Sequence, residues 1–151
     1  MQEESSKIQF HYLINPFHFP DRNKLKSFLI SLIQKEGKEV DQINIIFCDD
    51  TYLININKEY LKHDTYTDII TFELSLNNAP ILSDIYISIE RVKENARSYD
   101  SSFTKELHRV IFHGCLHLCG YKDKKNEEEL KMREKENHYL NQYLVPRGTK
   151  P

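Results

Sequence analysis

Two histidines four residues apart, His113 and His117, are the residues whose types and spacing point most directly to chemistry. On an α-helix, side chains at this spacing share one face with Cβ atoms about 5–6 Å apart, so both imidazoles can reach one cation. Gly120 can end that helix in the left-handed conformation and return the chain, which would bring Asp123 in as a third ligand. Three ligands and one open coordination position are typical of a hydrolytic metal centre.

The surroundings of the two histidines favour a metal site over a chance pair. The segment 103–118 is apolar apart from its first turns and the histidines, and a buried imidazole needs a hydrogen-bond or metal partner. A solvated helix face is therefore a poor explanation. The residue after His113 is Gly114, at the position where His-Glu-x-x-His zinc proteases carry their general base, so peptidase chemistry of that type is disfavoured.

The cysteines are predicted to be structural. Cys115 and Cys119 alternate with the histidines, but two residues along a helix correspond to a rotation of about 200°, so the cysteines face away from the predicted metal. We interpret them, and Cys48, as small buried apolar residues. An odd number of cysteines and a polar N-terminus without an apolar signal region predict a cytoplasmic protein. No stretch is long enough to span a bilayer, so no membrane partner is expected.

The composition predicts one soluble domain over residues 1–151. With 39% hydrophobic and 29% charged residues, a chain of this length can bury about 70% of its unfolded surface. The formal net charge of −2 argues against a protein that coats nucleic acid through bulk charge, although a local basic groove stays compatible with it.

Hydrophobic periodicity predicts strand, helix, strand, helix, two strands and three helices. The strands are expected at 8–14, 43–47, 67–72 and 81–89, the last two as an antiparallel pair. The first helix would begin at Asp21 or Asn23 and end at Gly37, and the second would follow Asp49 and Asp50. The remaining helices would begin near 90, at Ser101–Ser102 and at Asn126. This pattern predicts an α/β (α+β) single domain with a mixed four-stranded sheet and about five helices.

The same periodicity assigns faces to the helices. The balanced charges between Lys122 and Glu136 predict a solvated face, and Asn126 with Glu129 resembles a capping box. The residues expected to point inward are Leu53, Ile56 and Tyr60 in the second helix, Ile89, Val92, Ala96 and Tyr99 in the third, and Leu130, Asn137, Leu140 and Leu144 in the last.

Three blocks of this sequence resemble the YbeY family of metal-dependent endoribonucleases. Residues 113–123 are similar to its signature His-Gly-x-Leu-His-Leu-x-Gly-Tyr-Asp-His, and residues 57–72 and 82–88 resemble two upstream blocks. The spacing fits across roughly residues 40 to 145. The resemblance implies one zinc ion per chain and single-strand-specific RNA hydrolysis in the cytoplasm. It also implies a role at the 3′ end of 16S ribosomal RNA and in ribosome quality control, with the small ribosomal subunit as a partner.

The sequence departs from the family pattern at two places. The third family histidine aligns with Asp123, whose carboxylate is an acceptable zinc ligand but makes the metal a weaker Lewis acid. The usual arginine of the first block is Leu61, so a phosphate contact would have to come from Lys62, Arg91 or Arg109.

The interpretation that we carry forward is metal-assisted phosphodiester hydrolysis, with His113, His117 and Asp123 as metal ligands and catalytic group. Glu106 is expected either to hydrogen-bond a ligand imidazole or to form a surface ion pair. The residues expected to line an RNA cleft, or else to be ordinary strand-edge and surface residues, are Lys62, Thr67, Asp68 and Thr71.

Two other functions stay open at this stage. One is a metal-dependent hydrolase that acts on a small ester or peptide. The other is a non-catalytic ribosome-assembly or RNA-binding factor with a structural metal. Structural zinc sites are usually closed by four protein ligands, whereas the sequence offers three convincing ones.

Overall fold

The computed structural model describes residues 6–60 and 67–144, which form a single α/β domain. Its four strands and five helices follow one another in the order that the periodicity predicts. None of these helices is long and apolar enough to cross a membrane. The elements are β1 (Ile8–Tyr12), α1 (Arg22–Lys35), β2 (Val40–Cys48), α2 (Asp50–Tyr60), β3 (Ile69–Glu73), β4 (Ile81–Ser88), α3 (Ile89–Ser98), α4 (Phe103–Leu118) and α5 (Asn126–Leu144).

The sheet is mixed, with strand order β1-β2-β4-β3. β1 and β2 are parallel, β2 and β4 are parallel, and β3 runs antiparallel to β4. The predicted mixed sheet and the predicted antiparallel pair are both confirmed. β3 lies at one edge of the sheet and packs against α4.

Alternation along β2 divides the core into two layers. Ile43, Ile45 and Phe47 face the main layer, which contains the buried residues of α1, α4 and α5. Cys48 faces a smaller cluster beneath α2 on the opposite side of the sheet. Cys115 is also fully buried, which confirms the prediction for these two residues, whereas Cys119 is only partly buried against the main layer. Burial raises the pKa of the Cys48 thiol to about 12, so the thiol stays protonated.

Several helix-face predictions are wrong, and in α5 the reason is that tyrosines, and not leucines, fill much of the buried face. Tyr60 and Tyr99 lie at helix ends and point to solvent, with 65% and 62% of their surface exposed. Leu130 of α5 is 72% exposed, whereas Leu140 is buried as predicted. Asn137 and Leu144 are also exposed. The buried stripe of α5 is Met132, Glu136, Tyr139, Leu140 and Tyr143.

The helix starts show how local sequence positions the elements. Ser102 caps α4 as predicted, because its hydroxyl accepts a hydrogen bond from the Lys105 amide at 3.0 Å. Asp21 precedes α1 in a left-handed conformation, and its side chain makes no capping hydrogen bond. At α5 the capping carboxylate is Glu128 and not Glu129, since Glu128 accepts the Lys125 amide at 3.0 Å.

Candidate metal centre

The end of α4 brings the three predicted ligands together. Gly120 adopts φ +107°, a left-handed conformation that favours glycine. The Gly120 amide donates to the His117 carbonyl at 3.0 Å and the Tyr121 amide to the Leu116 carbonyl at 3.1 Å. This pair of bonds is a Schellman motif, which ends the helix and reverses the chain. The turn returns Asp123 to the face of α4 that carries the histidines.

The three side chains converge on one point. Nε2 of His113 lies 3.2 Å from Oδ2 of Asp123, and Nε2 of His117 lies 3.4 Å from the same oxygen. Ligand atoms bound at about 2.0–2.2 Å to a tetrahedral zinc ion lie about 3.3–3.5 Å apart, so these distances fit a shared cation. Within residues 6–60 and 67–144, these three residues form the one group of His, Cys, Asp and Glu side chains spaced for a metal ion.

Both imidazoles are held in the tautomer that metal binding needs. Nδ1 of His117 lies 2.8 Å from the Tyr121 carbonyl oxygen, and Nδ1 of His113 lies 2.6 Å from Oε2 of Glu136. A carbonyl and an ionised carboxylate can only accept hydrogen bonds, so each Nδ1 carries the hydrogen. In the neutral imidazole Nε2 then carries the lone pair that a cation binds, and the hydrogen bonds at Nδ1 fix the ring orientations.

Glu136, the hydrogen-bond partner of His113, belongs to a buried ion pair. Burial alone would raise the pKa of Glu136, but hydrogen bonds from His113 and Arg109 and the charge of Arg133 hold it below its usual value. Burial alone would lower the pKa of His113, but Glu136, Asp123 and Asp68 together raise it. Arg109 donates from Nη1 to Oε1 of Glu136 at 3.1 Å. The carboxylate therefore stays ionised and can accept the imidazole hydrogen.

Glu106 was predicted to fill that role or to form a surface ion pair. The hydrogen bond to the ligand imidazole is instead made by Glu136. The described ion pair of Glu106 is with Arg109, whose Nε lies 3.9 Å from Oε1 of Glu106. The pair is buried, since Glu106 is 4% exposed. Burial raises the pKa of its carboxyl group.

Two open clefts, of about 760 and 770 Å³, meet at the ligand group and share Asp68, His113 and Asp123. Thr67, Asp68 and Thr71 lie along the wall of the second cleft, so the predicted strand residues are brought beside the histidines. The amide of Asn95 donates to Oδ2 of Asp68 at 3.3 Å. Burial raises the pKa of Asp68. Lys62 lies outside the described residues.

The remaining residues suggested for a phosphate contact differ in position. Arg91 forms an ion pair with Asp50 at 2.8 Å, on the side of α3 that faces α2. Arg109 lines the first cleft, where it supports Glu136. Lys124, directly after the third ligand, is exposed and lines the second cleft. Lys124 is thus a cation beside the ligand group that the sequence did not single out.

Gly114 faces the sheet, away from the ligands. A Cβ atom at this position would lie 2.8 Å from Cδ1 of Ile69 and 3.4 Å from atoms of Ile85. A glutamate at residue 114 would therefore point into the core. This explains why the general base of His-Glu-x-x-His proteases has no counterpart here.

Glu136 is the functional residue that sequence reasoning missed. Its charge placed it on the predicted solvated face. A signal was nevertheless present, because Glu136 follows Met132 by four residues and precedes Leu140 by four, which is the spacing of one buried helix face. The carbonyl of Tyr121 had no such signal, since any residue type offers a carbonyl.

The fold and the three convergent side chains define an α/β domain that presents a candidate three-ligand cation site in an open cleft. Comparison with known proteins gives the family. The family model for endoribonuclease YbeY matches residues 18–144. The chain is 49% identical over 138 residues to endoribonuclease YbeY of Flavobacterium psychrophilum, which covers 91% of this chain and 97% of that one. It is 44% identical over 140 residues to the protein of that name from Cytophaga hutchinsonii, covering 93% and 96%.

A solved structure agrees with these sequence relatives. The solution structure of a Thermotoga maritima protein matches with a TM-score of 0.61 and 25% sequence identity, covering 95% of this chain and 99% of that one. The chain belongs to the endoribonuclease YbeY family.

Proposed function

We propose that this protein is a zinc-dependent endoribonuclease, that residues 1–151 form its one catalytic domain, and that it acts on single-stranded RNA at the 3′ end of 16S ribosomal RNA. The observation that carries the proposal is the ligand group itself, in which both histidines have Nδ1 occupied and Nε2 directed at Asp123. RNA is proposed as the substrate because the relatives are named endoribonuclease YbeY. The small ribosomal subunit is the proposed partner and the cytoplasm the proposed location, which suits three free cysteines.

The donor set supports zinc as the metal, one ion per chain. Two imidazole nitrogens and one carboxylate oxygen are ligands that zinc accepts, and three protein ligands leave a position open for water or substrate. When bound, zinc would supply Lewis acidity toward a phosphoryl oxygen and an attacking water. The part of the chain that the structure describes provides no fourth ligand, which favours a catalytic over a structural metal.

The clefts support cleavage within a strand. They meet at His113 and Asp123 and both are open, so a chain that enters along one can leave along the other. An internal phosphodiester can therefore lie at the ligand group, whereas a closed pocket would admit only an end. On the second cleft wall, Thr67, Thr71 and Lys124 offer hydroxyl groups and a cation to the sugar-phosphate backbone.

The charge of the clefts makes RNA binding depend on the metal. The first cleft is lined by five carboxyl groups and two arginines, with Asp68, Glu106, Asp123, Glu129 and Glu136 against Arg109 and Arg133. The carboxyl groups outnumber the arginines by three, and burial raises the pKa of two of them, Asp68 and Glu106. A divalent cation at the ligand group offsets much of this excess. We therefore expect metal-free protein to bind RNA more weakly than zinc-loaded protein.

The test is cleavage of a single-stranded RNA that spans the 3′ end of 16S ribosomal RNA. Zinc-loaded protein should cut it, chelated protein should not, and added zinc should restore cleavage. His117→Ala should be inactive with unchanged circular dichroism. His138→Ala is the matched control because His138 is exposed on α5, and it should cleave normally.

Each of the other possible outcomes would favour a different explanation. Cleavage that persists in His117→Ala would assign the activity to another site or to a contaminating nuclease. Zinc-dependent RNA binding without cleavage would contradict the proposal and favour a non-catalytic assembly factor. A zinc-loaded protein that hydrolyses esters and leaves RNA intact would indicate another class of hydrolase.

A further inference from the structure

A second polar cluster lies behind the metal centre, around Glu36 at the C-terminal end of α1. Its carboxylate accepts hydrogen bonds from the Tyr121 hydroxyl at 2.7 Å, from Nζ of Lys135 at 3.1 Å and from the Tyr139 hydroxyl. The three donors come from the turn after α4 and from α5. The Glu36 side chain is 10% exposed, so this cluster joins three parts of the chain in a largely buried position.

The cluster is held together by charge. Burial alone would raise the pKa of Glu36, but the hydrogen bonds from Tyr139, Tyr121 and Lys135 lower it below its usual value. An ionised carboxylate makes stronger and shorter hydrogen bonds than a neutral group does. The Tyr121 ring is therefore fixed at its hydroxyl end.

Tyr121 connects this cluster to the metal centre. Its amide is bonded to the Leu116 carbonyl at 3.1 Å, and its own carbonyl accepts the hydrogen of His117 Nδ1 at 2.8 Å. Because hydrogen bonds hold both the amide and the hydroxyl of Tyr121, its carbonyl group is held in one orientation. That carbonyl is the group that holds His117 in the tautomer with Nε2 unprotonated.

We propose that Glu36 is a positioning residue for the metal centre, acting through Tyr121 on the orientation and tautomer of His117. The inference rests on the proposed metal site for its effect on zinc, but its structural step concerns the metal-free protein alone. A carboxylate far along the sequence from the ligands thus determines how well the second imidazole is prepared for a cation.

The test is Tyr121→Phe, which removes the hydroxyl that Glu36 binds and leaves the ring and the backbone carbonyl. Long-range ¹H–¹⁵N spectra of the metal-free protein report which His117 nitrogen carries the hydrogen. Wild type should show the Nδ1–H tautomer, and the variant should show a mixture. Chelator competition should give a zinc affinity lower by about 10-fold, the lower end of the range for losing a group that orients a metal-bound histidine.

Tyr139→Phe is the matched control, because it removes a hydroxyl from the same carboxylate and leaves the Tyr121 bond in place. It should lower the free energy of unfolding comparably, yet keep the wild-type tautomer and zinc affinity. Glu36→Gln, which keeps one acceptor oxygen, should give an intermediate change and serves if Tyr121→Phe folds poorly.

A Tyr121→Phe protein with one His117 tautomer and wild-type zinc affinity would overturn the inference. Equal changes in Tyr121→Phe and Tyr139→Phe would also overturn it, since they would reflect general destabilisation. If wild type binds no zinc, the proposed function fails, while the tautomer spectra still decide the role of Glu36.

Discussion

The two ligand histidines lie four residues apart on one helix, yet they are supported in different ways. His113 donates from Nδ1 to Glu136, a buried carboxylate of α5. His117 donates from Nδ1 to the carbonyl of Tyr121, which the local turn provides. Both bonds fix the same tautomer, so both prepare Nε2 for a cation.

The difference lies in charge and in sequence distance. Glu136 brings a negative charge, which raises the pKa of His113 and makes its imidazole a stronger donor to a metal. The same charge stabilises a proton on His113, so protons compete with the metal at this ligand. The Tyr121 carbonyl orients the imidazole of His117 but carries no full charge. Removing His113 and removing His117 should therefore weaken zinc binding to the same extent. Removing the support of one histidine and removing the support of the other should have different effects.

The largest expected effect is the loss of a ligand. We expect His113→Ala and His117→Ala each to lose zinc almost completely, because two protein ligands hold zinc poorly against buffer. Elemental analysis of purified protein should give about one zinc per wild-type chain and almost none in either variant. Full occupancy in His113→Ala would remove that residue from the site.

The second effect concerns Asp123, whose Oδ2 lies 3.2 Å from Nε2 of His113 and 3.4 Å from Nε2 of His117. Asp123→Asn should weaken zinc binding steeply, because a neutral amide oxygen is a poor substitute for a carboxylate on a divalent ion. Asp123→His should restore binding, since imidazole is an equally good zinc ligand.

Chelator titrations of wild type and the two Asp123 variants decide this point. If Asp123 were only a turn residue, Asn would make the same backbone contacts and zinc affinity would not change. Equal affinities of wild type and Asp123→Asn would therefore exclude Asp123 as a ligand.

The third effect distinguishes the two supports. Glu136→Gln keeps the size of the side chain and removes the charge behind His113. Zinc affinity should fall by about 10–100-fold, the usual cost of losing such a partner. Glu134→Gln is the matched control on the same helix, because Glu134 is exposed. An unchanged affinity in Glu136→Gln would mean that the carboxylate contributes nothing to the metal site.

The smallest effect is a pH dependence of stability in the metal-free protein. The folded-state pKa of His113 is raised above 6.5, so its contribution to stability is complete below 6.5 and is lost as pH rises through the raised value. The folded-state pKa of Glu136 is lowered below 4.5, so its contribution is present above 4.5 and is lost as pH falls through the lowered value.

The free energy of unfolding should therefore have a maximum between these limits, with a contribution from the pair on the order of 1 kcal/mol. Urea denaturation across the acid and alkaline ranges measures it. The maximum should flatten in Glu136→Gln and persist in Glu134→Gln. A maximum that is unchanged in Glu136→Gln would assign the dependence to other groups.

Local sequence predicted those parts of the molecule whose partners are near in the chain. The pair of histidines, Gly120 and Asp123 lie within eleven residues, and helix and turn geometry alone place them together. The order of elements was predictable for the same reason, since periodicity is a local property. Ser102 could be recognised as a cap because its partner is three residues away.

The predictions failed where a distant element determines the environment. Glu136 was assigned to solvent because charged residues are seldom buried without a partner, and its partners His113 and Arg109 lie on another helix. Leu130 was assigned to the core, but the tyrosines of α5 pack inward and turn this leucine outward. Glu106 was expected to bond a ligand imidazole or to form a surface ion pair, but Glu136 of α5 bonds His113 and Glu106 lies buried beside Arg109.

The sequence by itself determined the candidate ligand group, the order of the elements and the absence of a base at residue 114, because each depends on spacing along one stretch of chain. Only the tertiary structure decided which groups hold the Nδ1 atoms of the two histidines and so fix their orientation. Glu136 contacts His113, and Glu36 contacts Tyr121, only after α5 and α1 have packed against α4 and its turn. Burying a carboxylate is favourable only when specific donors surround it, and such donors are assembled by packing and not by sequence proximity.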